Sequence, residues 1–301
     1  MNTPDWRFPI RRAALLLCAL AGAAPAGALT ALDTAQIEAL TGAKGTLDQG
    51  EGVFKVSLPR SDLAITVAGV KMTPPLGLTA WAAFQTAGAQ TMVMGDMVLL
   101  DDQVSAAMDA ALNNGLEVTA LHNHFLWDAP KVMFMHVGGM GDTAALARAI
   151  GKVFAAIKDT SGGKGRVPMV AIDPAATTLD PAIIDAVLPA KGALAGGVYK
   201  IVIGRTATMH GQPVGGAMGV NTWAAFAGSD DQAVVDGDFA VREGELQPVL
   251  KALRAAHIDV VAIHNHMTME EPRMLFLHFW GVGSTRALAS GLHTALATQG
   301  K

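Results

Sequence analysis

Apolar and polar residues alternate along several short segments, while other segments repeat apolar residues every three or four positions. The alternating segments predict β-strands at 53–58, 91–99, 117–125 and 132–137, and again at 198–203, 233–241, 259–267 and 274–280. Helical spacing predicts amphipathic helices at 102–113 and 243–256. Four residues are expected to cap helices: Asp33, Asp142, Asp180 and Ser284. Because short connections favour antiparallel pairing, we expect an α+β fold.

The predicted elements occur twice because the chain contains an internal repeat. The segment Trp-Ala-Ala-Phe at 81–84 recurs at 223–226, and His-Asn-His at 122–124 recurs at 264–266, both with an offset of 142 residues. Gly-Asp at 95–96 recurs at 237–238 with the same offset. We therefore predict two tandem homologous repeats, 32–155 and 179–298, joined by a linker at 159–178. Each repeat is expected to be a mainly antiparallel sheet packed with helices.

Composition limits the class of protein. The chain has 301 residues, of which 51% are hydrophobic and 16% charged, and its formal net charge is -4. These values favour a folded chain with a sizeable core and give no basic surface for nucleic acid. No nucleic-acid partner is expected, and no Walker loop or dinucleotide fingerprint indicates an organic cofactor.

The first residues are typical of a signal peptide. Arg7, Arg11 and Arg12 precede an apolar run at 13–24, and Ala-Gly-Ala at 26–28 fits a cleavage site. We predict a signal peptide at 1–28, a periplasmic or secreted mature chain, and no stable membrane span after cleavage. A retained membrane anchor is the alternative. Lipid anchoring at Cys18 is not expected, because Leu17 is too large for the position before a lipidated cysteine.

Three histidines in each repeat have the spacing of a metal site. His122 and His124 are two residues apart on a predicted strand, so their side chains should share a face, and His136 follows on the next strand. Three imidazoles with an open position are typical of catalytic zinc, while iron and copper accept the same ligands. The second repeat supplies the same set: His264, His266 and His278. We predict a divalent metal, zinc first, at both sets.

One carboxylate follows each histidine pair. Asp128 and Glu270 lie four residues after His124 and His266. Either could be a fourth ligand, orient a histidine, or act as the catalytic base for metal-bound water. The Gly-x-Gly turns at 139–141 and 281–283 lead into helices whose N-termini could receive a small anionic ligand, although tight turns explain them as well.

Two other interpretations remain open. The histidines could be packing residues of a non-catalytic protein that binds or interacts in the cell envelope. The 15 methionines include several near the histidines, which would suit copper handling, although methionine also fills cores. The members of this set are Met133, Met135, Met267, Met269 and Met274. The repeated basic residues Lys55, Arg60, Lys200 and Arg205 are explained by a solvated strand face.

The chain resembles a known family through its repeated motifs. Leu121-His122-Asn123-His124, the Trp-Ala-Ala-Phe segments and the run from Phe276 to Gly283 look like the LppY/LpqO family of exported bacterial proteins. The resemblance implies a duplicated domain in the cell envelope and supplies no reaction. The segment from His122 to Leu126, with His136, is also similar to the zinc-binding segment of acetolactate decarboxylase. These patterns favour a metal site, with hydrolase or lyase chemistry as one outcome.

Overall fold

The computed structural model describes residues 32–300. The predicted signal peptide, its cleavage after Ala28, and Cys18 lie outside the described residues. Six α-helices occur in the described part: α1 (Thr34–Thr41), α2 (Val104–Asn113), α3 (Thr143–Asp159), α4 (Pro181–Asp185), α5 (Leu246–Ala255) and α6 (Thr285–Ala297). All four predicted caps are confirmed, since each of those side chains accepts a hydrogen bond from a backbone N–H in the first turn.

The first repeat contains nine strands. They are β1 (Gly45–Asp48), β2 (Val53–Pro59), β3 (Thr66–Val67), β4 (Val70–Lys71), β5 (Thr79–Ala87), β6 (Gln90–Leu100), β7 (Glu117–His122), β8 (Asp128–Ala129) and β9 (Val132–Gly141). Six of them form an antiparallel sheet in the order β1-β2-β5-β6-β9-β7. The three shortest form a separate small sheet in the order β4-β3-β8.

The second repeat has the same nine strands. They are β10 (Ala193–Ala195), β11 (Val198–Gly204), β12 (Ala207–Met209), β13 (Gln212–Val214), β14 (Asn221–Gly228), β15 (Ala233–Arg242), β16 (Asp259–His264), β17 (Glu270–Glu271) and β18 (Met274–Gly283). The small sheet here has the order β13-β12-β17. The prediction of an α+β fold made of two homologous, mainly antiparallel repeats is confirmed.

The two repeats join into one sheet of 12 strands. The connection is made where β7 meets β16, at the pair Leu121 and Ile263. These two residues are 142 positions apart, so each pairs with its own counterpart in the other repeat. The strand order on one side of this pair is the reverse of the order on the other side. The molecule therefore has an internal pseudo-twofold axis through the centre of the sheet, as a symmetric dimer would have.

The two faces of the large sheet have different coverings. Helices α2 and α3 pack on one face in the first repeat, and α5 and α6 do so in the second. Gly139 and Gly281 lie on this face, close to Leu146 of α3 and Leu288 of α6. The small sheets partly cover the other face, where Phe276 of β18 packs with Ala207 and Val214. We call this second face the open face.

Arg60 is buried and the Arg205 side chain is only 13% exposed, so the prediction of a solvated strand face is wrong for both. Arg60 is only 2% exposed and donates hydrogen bonds to the Gln103 side chain and to the Val98 carbonyl. Arg205 pairs with Glu245 at 2.7 Å. Both guanidinium groups tie the end of a strand to the 3-10 turn that precedes the next helix. Lys55 and Lys200 are exposed, as expected.

No helix among residues 32–300 combines the length and the apolar character needed to cross a membrane.

Candidate metal centre

In the second repeat, three histidines and one aspartate converge on the open face. His264 is the last residue of β16, His266 follows two residues later, and His278 lies in β18 directly opposite Asp238 of β15. His266 Nε2 lies 3.1 Å from His264 Nε2 and 3.2 Å from an Asp238 carboxylate oxygen. His278 Nδ1 lies 3.9 Å from the other oxygen of Asp238. One ligand atom from each of Asp238, His264 and His266 falls within 4.8 Å of the other two.

The first repeat places the counterpart residues at the matched positions of its sheet, but their close contacts differ. Asp96 of β6 is the cross-strand partner of His136 in β9, and His122 ends β7. His136 Nε2 lies 3.0 Å from His122 Nε2, and the His124 ring centroid is 5.2 Å from that of His122. The four residues thus occupy equivalent positions on either side of the pseudo-twofold axis, and among the described residues a histidine nitrogen lies within 4.0 Å of the aspartate only in the second repeat.

A phenylalanine fixes the second histidine of each set. Strands β7 and β16 end at the first histidine, so the prediction that they extend through 125 and 267 is wrong. His124 instead stacks on Phe134 with centroids 3.5 Å apart and an interplanar angle of 6°. His266 stacks on Phe276 at 3.6 Å and 8°. This stacking, rather than strand alternation, brings the second imidazole back towards the first.

Backbone carbonyls set the tautomer of one histidine in each set. His266 Nδ1 lies 3.3 Å from the Gly219 carbonyl, and His122 Nδ1 lies 3.3 Å from the Asn123 carbonyl. A carbonyl oxygen only accepts, so these contacts are hydrogen bonds when the proton is on Nδ1 of each ring. The lone pair is then on Nε2, which points to the other histidines. A carbonyl acceptor on the outer nitrogen is the usual companion of a metal-binding imidazole.

The surroundings favour neutral imidazoles. Burial lowers the pKa of His124, and the nearby His122 and His136 add to this effect while Asp96 opposes it. Burial likewise lowers the pKa of His264, with Asp238 opposing and His278 and His266 adding. Only the neutral form has a lone pair to give to a metal, so these shifts keep the rings ready to bind near neutral pH.

Asp96 and Asp238 each have one buried carboxylate oxygen, Oδ1, without a hydrogen-bond donor among the described residues. An unpartnered buried carboxylate oxygen is costly and needs an explanation. A divalent cation within each set would satisfy this oxygen, and imidazole and carboxylate donors suit zinc, iron or manganese.

A family comparison agrees with the internal repeat. Residues 35–156 and 182–298 both match the family model described as Domain of Unknown Function (DUF1259). The chain belongs to this family. No curated protein matches the DUF1259 chain. Among solved structures, a trimeric bacterial microcompartment shell protein PduB is similar over 84% of this chain and 89% of that chain, with 12% identity and a TM-score of 0.21. A similarity this low supports no further conclusion.

The two carboxylates predicted as catalytic have structural partners in the DUF1259 chain. Asp128 is buried in β8 and accepts hydrogen bonds from the Lys131 ammonium and the Val132 N–H, both at 2.7 Å. Burial opposes its ionisation, but these two donors outweigh burial and lower the pKa of Asp128. Glu270 accepts from the Met274 N–H at 2.9 Å in the second repeat. Both residues close the turn before β9 or β18, and a catalytic role for either stays a prediction.

Sequence reasoning missed the carboxylates that lie across from the third histidines. Asp96 and Asp238 lie inside strands, each directly across from the third histidine of its set. Their signal was the Gly-Asp pair, which repeats at the same offset as the histidines. Trp81 and Trp223, from the repeated Trp-Ala-Ala-Phe segments, are each the cross-strand neighbour of one of these aspartates on its other side.

Most of the methionines near the histidines lie in the core. Met135 is fully buried on the helix-covered face, opposite to its neighbour His136, and Met274 is fully buried in the core beneath the small sheet. Met267 packs against that same core. Met269 is 80% exposed. Core packing therefore explains most of this set.

Proposed function

We propose that this DUF1259 chain is an exported metalloprotein that holds one divalent cation in each repeat through three histidines and one aspartate. The observation that carries the proposal is the group formed by Asp238, His264 and His266, whose ligand atoms lie within 4.8 Å of one another. Buried Oδ1 atoms that accept no hydrogen bond, on Asp238 and on its counterpart Asp96, add support. The ligands would be Asp96, His122, His124 and His136 in one set, and Asp238, His264, His266 and His278 in the other. Zinc is the first expectation.

The exposure of the site favours a chemical role over a purely structural one. The side chains of His264, His266 and His278 are 30%, 35% and 44% exposed, so a small molecule can reach the cluster from the open face. A bound divalent cation supplies Lewis acidity, which activates water or polarises a carbonyl oxygen. The chain's own residues hold the imidazoles neutral and oriented. We therefore propose metal-dependent hydrolase or lyase chemistry.

Metal analysis of the full chain tests the proposal. The protein is purified without a histidine tag, and its metal content is measured by plasma mass spectrometry before and after incubation with zinc, iron, manganese or copper. We expect about one equivalent per repeat, as three imidazoles and a carboxylate suit a divalent ion. Asp238→Asn should remove the equivalent of the second repeat and Asp96→Asn that of the first. A protein that takes up none of these metals would refute the proposal.

Two matched variants separate the two kinds of carboxylate. Asp128→Asn and Glu270→Gln alter acids that hydrogen-bond to the turns rather than to the histidines. Both variants should keep their full metal content. Loss of metal in them, with retention in Asp96→Asn and Asp238→Asn, would reverse our assignment of the carboxylate ligand.

A non-catalytic envelope protein with structural histidines is the alternative. It predicts that His264→Ala lowers the melting temperature equally with and without added metal, and that a chelator changes nothing. The metal proposal predicts that, in His264→Ala, added metal no longer stabilises the second repeat. Differential scanning calorimetry distinguishes the two.

We also propose that the chain is exported to the periplasm or secreted. We further propose that it is a member of the LppY/LpqO family, which its motifs resemble. The support for export is the basic, apolar and small-residue order at 1–28. Cell fractionation and N-terminal sequencing test it, with a mature chain beginning at Leu29 as the expected result. A full-length cytoplasmic chain would overturn it.

A further inference from the structure

A repeated lysine–tryptophan pair lies beside each metal site on the open face. The Lys55 ammonium is 4.0 Å from the centre of the Trp81 ring, and the Lys200 ammonium is 4.1 Å from that of Trp223. Contact of this kind holds a cation in a defined position. The lysines repeat at an offset of 145 and the tryptophans at 142, so the pairing persists although the spacing between its members changes.

The sheet register places the tryptophan ring under each ammonium next to a proposed ligand. Trp81 is directly opposite Asp96, and Asp96 is directly opposite His136. Residues paired across strands project from the same face at about 5 Å spacing. Trp81, Asp96 and His136 therefore form one row, and Lys55 bends over the end of that row. The second repeat has the same row, with Trp223, Asp238 and His278.

The row beside it differs between the repeats. In the first repeat, Ala83 is opposite Met94, and Met94 is opposite Gly138. The counterpart of Met94 in the second repeat is Asp236, which lies across from Trp280. Asp236 is exposed on the same face as Asp238, and in the register Ala225 lies between it and Lys200, with Trp280 on its other side. The second repeat thus carries its own carboxylate in the row of the lysine, beside the row that holds Asp238 and His278.

We propose that the first repeat binds a small oxyanion, a carboxylate or a phosphate, between its metal and the Lys55 ammonium, and that Asp236 excludes such an anion from the second repeat. This inference rests on the proposed function, because the metal supplies one half of the anion's partners. The Asp236 carboxylate of the second repeat marks the position that the bound oxyanion would occupy in the first repeat. Gly138, in place of Trp280, leaves space on the far side of that position.

Single-site proteins test the inference. Asp238→Ala in the full chain leaves only the first metal site, and Asp96→Ala leaves only the second. Each is loaded with Co(II), and sodium acetate, inorganic phosphate or neutral acetamide is then titrated by calorimetry while the visible cobalt spectrum is recorded. We expect acetate or phosphate to bind the first-site protein and perturb its spectrum, with no effect of acetamide. The acetate and phosphate arms identify which oxyanion is preferred.

Variants in the two rows of residues test the roles assigned to Lys55 and Asp236. In the first-site protein, Lys55→Met should weaken anion binding by about tenfold or more while the cobalt content stays the same. Lys200→Met is the matched control and should have no effect there. Met94→Asp should abolish binding in the first-site protein, and Asp236→Met should create it in the second-site protein.

The possible failures are distinguishable. Absence of bound cobalt refutes the proposed function itself. Normal cobalt content with anion binding that is equal in the two repeats, insensitive to Lys55→Met, or absent from both repeats, overturns the inference and leaves the metal site standing.

Discussion

The proposed metal-binding clusters and the junction between the repeats have diverged to very different extents. All eight proposed ligands and the two supporting phenylalanines are identical at matched positions. At the junction, by contrast, Ser105, Asp109 and Leu112 correspond to Gln247, Lys251 and Arg254. In a symmetric dimer each junction residue must suit its own copy, whereas in a single chain the two sides can specialise.

The junction shows what that specialisation produces. The Gln247 side chain makes two hydrogen bonds to the backbone of Val118, at 2.8 and 3.0 Å. Its counterpart Ser105 donates instead to the Asp259 side chain at 2.6 Å. Arg254 crosses from one repeat to the other to pair with Asp109. These contacts lock two repeats into one arrangement but leave the clusters untouched, so identity at the clusters points to selection for chemistry rather than for packing.

The largest effect is expected when the phenylalanine ring that stacks on His266 is removed. Phe276→Ala deletes a fully buried side chain beneath His266, and a core truncation of this kind costs about 3–5 kcal/mol. We expect a lower unfolding free energy by denaturant titration together with loss of metal from the second repeat only. Phe276→Leu, which keeps most of the volume without the stacking surface, should cost less stability but still weaken metal binding. Unchanged metal affinity in both variants would show that the stacking does not position His266.

The second-largest loss of stability is expected when the metal is removed. A ligand at a hundredfold excess over its dissociation constant stabilises the folded state by about 2.7 kcal/mol per site. Chelation of the wild-type protein should therefore lower the melting temperature, and Asp96→Ala or Asp238→Ala should each remove part of that response. The control is the protein with both changes, which should not respond to a chelator. A persistent response in that control would place the metal elsewhere.

The sequence predicted most of the fold because the repeat and the strand patterns are local signals. Helix caps at Asp33 and Ser284 and the histidine sets also follow from neighbouring residues. Asp96 could not be placed in the same way, since its approach to His136 depends on the register between β6 and β9. The buried state of Arg60 depends on a partner, Gln103, that lies far along the chain. Contacts that require strand order or distant partners are the part that sequence patterns leave open.

A smaller effect is expected at the junction. Arg254 is buried between Asp109 and Asp259, and its removal leaves these partly exposed carboxylates without their cation. We expect Arg254→Ala to lower the unfolding free energy by about 2 kcal/mol, below the range for a fully buried pair. Arg254→Leu, which installs the residue type of the first repeat, should be milder because it refills the space. Metal content should be normal in both variants, and a loss of metal would mean that the junction and the clusters are coupled.

The smallest effect is the dependence of the metal-free protein on pH. The pKa values of His124 and His264 are lowered from 6.5 in the folded chain, so the unfolded chain binds their protons more readily. Stability from these groups is present above pH 6.5, decreases as the pH falls from there towards the folded pKa values, and changes no further below them. Denaturant midpoints measured in a chelator between pH 7.5 and 5 should show this decrease. The variant with His124→Gln and His264→Gln should show a flatter profile, because a glutamine does not titrate. An equally steep profile in that variant would assign the decrease to other titrating groups. The two clusters would then show no response to pH that sets them apart from the junction.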